Sequence, residues 1–146
     1  MLMNLLLGLS TMIACSLLQS ALLIAAIRYY RGRKHSLNNP SFWAGSVLII
    51  GVMLLLVIGN MAQIGVWALV FVLLEEFQQF HEAFYHSAVN FATLGYGDVI
   101  MSAEHKLLGP LESINGALMI GVSTAALIAA FEQAIRMPRK RQRQGL

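Results

Sequence analysis

Charge is scarce in this 146-residue chain: Asp, Glu, Lys and Arg make up 12% of it, about half the roughly 25% of an ordinary soluble domain. One cysteine excludes an intrachain disulfide scaffold and says nothing about redox compartment. No spacing of His, Cys, Asp and Glu reads as a transition-metal site, and no nucleophile stands beside a base. Neither an enzyme nor a resident cofactor is therefore expected. What the chain has in abundance is apolar surface, with 58% hydrophobic residues and a mean hydropathy of +0.67. Those figures exclude a disordered tail and a nucleic-acid-binding arm. The solvent of this chain is largely lipid.

A membrane crossing takes about 20 mostly apolar residues, because the hydrocarbon core is about 30 Å thick. Three stretches qualify: Leu5 to Ile27 and Phe42 to Leu74, both without charge, and Leu107 to Phe131, where Glu112 is the one ionisable group. The second is long for one crossing and is expected to form a single tilted helix, with Trp43 and Trp67 placed like interfacial anchors. The first is expected to be a retained helix rather than a signal peptide. No positive charge precedes it, it is too long, and the basic residues follow it.

The few charges are sorted. Arg28, Arg31, Arg33 and Lys34 follow the first stretch, and Arg136, Arg139, Lys140, Arg141 and Arg143 follow the third. Between the second and third, Glu75, Glu76, Glu82, Asp98 and Glu104 are opposed by Lys106. The positive-inside rule places both basic clusters in the cytoplasm, hence the N-terminus outside, the C-terminus inside and the acidic segment on the exterior. The basic tail is expected to meet anionic lipid headgroups. No folded module supports a nucleic-acid partner.

The acidic segment is no plain loop. Phe77 to Ala92 (FQQFHEAFYHSAVNFA) is aromatic and free of Gly and Pro, and reads as a short helix with acidic residues at its start, where they suit the helix dipole. Turn signals follow at Gly95 and Gly97. Irregular backbone beside a membrane helix must be buried in protein or line an aqueous path.

The run Thr93-Leu94-Gly95-Tyr96-Gly97-Asp98 (TLGYGD) resembles the selectivity filter of potassium channels, Thr-Val-Gly-Tyr-Gly-Asp. The physical requirement is a cage of carbonyl oxygens that replaces an ion's water shell. Successive carbonyls must point to one axis, so some residues need left-handed dihedrals, which glycine adopts cheaply. The resemblance implies that the carbonyls of Thr93, Leu94, Gly95 and Tyr96 hold K⁺ as the permeant ion, with the Thr93 hydroxyl at the innermost ring. It also implies that the Tyr96 ring braces the filter from behind and that Gly97 and Asp98 form the outer mouth. Ser41 to Gln133 follows the family's order of outer helix, pore helix, filter and inner helix. Departures are Ala92 where a second threonine is common, Leu94 for the filter valine, and Val89 where some relatives carry an acid. One chain holds one filter motif, and a cage needs a ring, so four copies are expected around a cyclic axis.

Gly109-Pro110 suits the start of the inner helix. Small residues recur along it, and Gly116 and Gly121 are candidate hinges, with close packing an equal reading. Phe131 either narrows the pore or faces lipid. Glu112, an intramembrane or interfacial carboxyl, is read as structural, behind the filter. His81, His86 and His105 fall on the exterior, where histidine can sense pH but more often packs. The first stretch lacks spaced arginines, so it is no voltage sensor of the usual kind.

The expectation is an all-α integral membrane protein with three transmembrane helices plus a re-entrant pore helix and filter loop, forming a homotetrameric potassium channel in the plasma membrane. Its parts are an additional helix (1–28), a basic linker (29–40), the pore domain (41–133) and a basic tail (134–146). A non-conducting scaffold or accessory subunit is the alternative, and a small-multidrug-type transporter working through Glu112 a more distant one.

Overall fold

The computed structural model describes the backbone of residues 1–36 and 42–142, and side chains at 1–29, 32 and 45–132. Among the described residues there are four helices: α1 (Leu2–Ser36), α2 (Phe42–Leu73), α3 (Phe80–Phe91) and α4 (Leu108–Gln142). Three contain stretches long and apolar enough to cross a membrane, Leu2–Tyr29, Gly45–Leu73 and Leu108–Glu132. Helix is the form such runs must take, because it satisfies every interior backbone group without water. Leu6, Ile13, Leu17, Val47, Leu54, Ile58 and Leu69 point outward from the bundle, as residues solvated by lipid do.

Side-chain pairings fix the packing directions. Gln19 meets Gln63, and Ala26 clusters with Leu48 and Val52, so α1 and α2 run antiparallel. Gln19 also meets Ser123, and Ala26 lies with Ala130, so α1 and α4 run parallel. The short α3 wedges between α2 and α4, and a core of Trp67, Phe71, Phe77, Phe91, Leu108 and Cys15 forms around it.

The second apolar stretch is one continuous helix, as expected. Three boundaries differ. The α1 helix runs through its first basic residues to Ser36, and α4 runs past Phe131 to Gln142. Charge ends a membrane span without interrupting backbone hydrogen bonding, and Arg and Lys are good helix formers. The short helix starts at Phe80 rather than Phe77, with only Glu82 in its first turn. Glu75 and Glu76 belong instead to the end of α2.

Trp67 is not an interfacial anchor. It is 0% exposed, with its ring 5.9 Å from that of Phe71, because α1 and α3 both cover this end of α2. The side chain of Trp43 lies outside the described residues. So do those of Arg31, Arg33, Lys34, Arg136, Arg139, Lys140, Arg141 and Arg143.

Candidate functional site

The filter-like run begins as a helix cap. The N–H of Thr93 donates to the Asn90 carbonyl at 2.8 Å and that of Leu94 to the Val89 carbonyl at 2.9 Å. With Thr93 left-handed (φ 59°), these are the two bonds of a Schellman motif. Glycine usually takes that position. A β-branched residue does so at a cost of roughly 1–2 kcal/mol. The first residue of the filter-like run is therefore also the last element of α3, and its conformation is set by how that helix ends.

Left-handed backbone then recurs at every second position, at Gly95 (φ 60°) and Gly97 (φ 73°). In an extended chain successive carbonyls alternate in direction, and reversing the handedness of alternate residues turns them towards one side. Thr93 to Asp98 are all exposed within one chain, Leu94 by 55% and Tyr96 by 66%.

Two side chains of α3 hold the far end of the run. Tyr85 donates its hydroxyl proton to Asp98 Oδ2 at 2.6 Å, which keeps the Asp98 carboxyl below its ordinary range and raises the phenol. The His86 ring is 2.9 Å from the Val99 carbonyl through Nδ1 and 2.9 Å from Asn90 Nδ2 through Nε2. A carbonyl only accepts, so Nδ1 carries the proton and Nε2 accepts from the amide, the neutral ring. Burial of the ring lowers its pKa.

On the inner side, α4 touches α3 directly. A Cβ on Gly116 would overlap the Phe91 backbone carbonyl, so only glycine allows this approach. Gly121, the other glycine singled out as a hinge position, has nothing within 4 Å of where a side chain would begin. Phe131 is 42% exposed in the single chain. Glu112 is fully buried, and its Oε1 is hydrogen-bonded to Ser87 Oγ of α3, which also lies 2.9 Å from the Ile64 carbonyl of α2. Ser87 thus joins three helices behind the filter run.

Just past the end of α2, Glu76 receives three hydrogen bonds: from the Ser102 N–H at 2.7 Å, the Ser102 hydroxyl at 2.6 Å and His105 Nδ1 at 2.5 Å. Desolvation pushes this carboxyl up, but the bonds outweigh it and the pKa is lowered. Asn4 of α1 donates to the Glu104 carbonyl of the same loop at 2.5 Å. The segment leading into α4 is therefore tied to both neighbouring helices.

The sequence reading did not single out Asn4, Gln19, Asn60, Gln63 or Asn115. A signal existed, since amide side chains inside uncharged apolar runs need partners and serve as interhelical glue. Gln19 Nε2 donates to Ser123 Oγ at 2.9 Å, and Gln63 Nε2 donates to Gln19 Oε1 at 2.7 Å.

Two long apolar helices that bracket a short helix, followed by a loop of alternating left-handed residues, define a membrane pore module. A family model described as ion channel matches residues 53–133, more than half of the chain, and the chain belongs to that ion-channel family. No curated protein and no solved structure matches it.

Proposed function

We propose that this chain is one subunit of a homotetrameric, potassium-selective channel that passes K⁺ down its electrochemical gradient. The observation that carries the reading is the alternation of left-handed backbone at Thr93, Gly95 and Gly97 directly after a membrane-flanked helix. In the proposed assembly the carbonyls of Thr93, Leu94, Gly95 and Tyr96 from four chains ring the axis and replace the hydration shell of the ion. Tyr96 packs against an adjacent subunit, and Gly97 and Asp98 line the outer mouth. The C-terminal end of α3 adds a negative dipole end towards a cation in the cavity.

Orientation follows the charges: N-terminus outside, C-terminus cytoplasmic, in the plasma membrane, with the basic tail on anionic lipid headgroups. The acidic segment then faces the side from which a cation enters.

Purified protein in liposomes is expected to pass K⁺ far faster than Na⁺, and Gly95→Val to abolish selective flux without preventing expression. A β-branched side chain cannot adopt φ near +60° without strain. Equal flux of the two ions, or unaltered selectivity in the variant, removes the filter assignment. Absence of flux under every voltage, pH and tension tried favours the non-conducting scaffold.

A further inference from the structure

Five buried side-chain polar atoms among the described residues have no hydrogen-bond partner: Gln63 Oε1, Trp67 Nε1, Glu112 Oε2, and both Nδ2 and Oδ1 of Asn115. They come from two helix faces. Gln63 and Trp67 stand one turn apart on α2, and Glu112 and Asn115 one turn apart on α4. Cys15 of α1, also fully buried, lies against both Asn115 and Trp67 and within electrostatic reach of Glu112. Trp67 of α2 and Asn115 of α4 therefore meet at Cys15 of α1, with Gln63 and Glu112 one turn away on the same two faces.

All four residues are 0% exposed within a single chain. A neighbouring subunit cannot reach them, and neither can lipid headgroups. Sulfur is a weak donor and a weak acceptor, so the thiol satisfies them poorly. Asn90 of α3 is also within hydrogen-bonding reach of the Glu112 carboxyl, and each buried polar atom left without a good partner costs free energy.

The atoms also define what fits. Trp67 Nε1 only donates, Gln63 Oε1 only accepts, and Asn115 does both. The inward N–H groups disfavour a cation, and the carboxyl and amide oxygens disfavour an anion. An apolar molecule answers none of them. Water both donates and accepts, and buried waters make about three bonds to such otherwise unpaired groups. We propose that Gln63, Trp67, Glu112 and Asn115 enclose an internal hydration site, holding at least one ordered water beneath Cys15.

The water joins two hydrogen-bond chains that are otherwise separate. One runs from Ser123 through Gln19 to Gln63, and the other from Glu112 to Ser87 of α3. The middle of α4 and the back of α3 thereby share one polar network, whatever ion the pore prefers.

The test is water-edited solid-state NMR of the assembled protein in lipid bilayers. The chain has two tryptophans, so a Trp43→Phe background leaves Trp67 as the single indole. Magnetisation is expected to pass from water to the Trp67 N–H, to fall severalfold in Asn115→Leu, and to persist in Asn115→Ser. No transfer in the Trp43→Phe background overturns the proposal. Undiminished transfer in Asn115→Leu overturns it too, because water then reaches the indole by another route. If Asn115→Leu does not assemble, a high-resolution map of the wild-type decides. A water peak about 3 Å from both Trp67 Nε1 and Asn115 supports the site, and its absence sinks it.

Discussion

Thr93 and His86 carry opposite kinds of constraint at the two ends of the filter-like run. Thr93 is held left-handed because it caps α3. His86 works through its neutral form, donating to Val99 and accepting from Asn90. Burial depresses its pKa, while the nearby Asp98 and Glu76 charges act the other way without reversing the shift. For a histidine whose folded-state value is lowered, the unfolded chain binds more protons. The stability it contributes is complete above an unfolded value near 6.5 and is lost as pH falls through the folded value. Protonation also puts a hydrogen on Nε2, facing the Asn90 amide. External acidification to about pH 5 is therefore expected to reduce K⁺ flux in liposomes, and His86→Gln to flatten that response. Glutamine offers the same donor and acceptor and does not titrate. An acid response unchanged in His86→Gln would assign it to another group.

At the scale of elements, the helix ends decide more than the helix middles. The α2 helix stops with the same motif as α3: Glu75 N–H bonds the Val72 carbonyl and Glu76 N–H the Phe71 carbonyl, around a left-handed Glu75 (φ 58°). Glycine would take that position without strain. Glu75→Gly is thus expected to raise stability by about 1 kcal/mol, read from unfolding in detergent, with K⁺ flux unchanged. A destabilised variant would show that the Glu75 side chain does more than cap. The spans of α1, α2 and α4 were legible from apolar length alone, because lipid permits one answer for such runs. The start of α3 was not. Glu75 and Glu76 look in sequence like acids leading into the short helix, but Glu76 is engaged by Ser102 and His105, residues distant in the chain. No local pattern reports a partner 26 residues away.

At the scale of the molecule, one chain leaves Leu94 and Tyr96 more than half exposed beside irregular backbone, a surface that lipid does not tolerate. In the proposed assembly, fourfold closure covers it and completes the carbonyl ring. Native mass spectrometry from mild detergent is expected to find a tetramer, and a uniform monomer or dimer would favour the scaffold. The extra helix α1 is built into this module rather than appended to it. It bonds α2 and α4 through Gln19, contributes Cys15 to the core, and ties the loop leading into α4 through Asn4. From sequence it read only as a third apolar run.

The amino-acid sequence by itself determined the number of membrane helices, the place of the short helix and the glycines that turn the loop after it. Length against bilayer thickness and freedom at φ are local properties. Tertiary structure alone decided that Trp67 is buried rather than interfacial, that Glu112 meets Ser87, that Gly116 lies against the Phe91 backbone, and that Trp67 of α2 and Asn115 of α4 meet at Cys15. Each of these depends on which faces of separate helices meet, and nearly uniform apolar composition leaves that to packing.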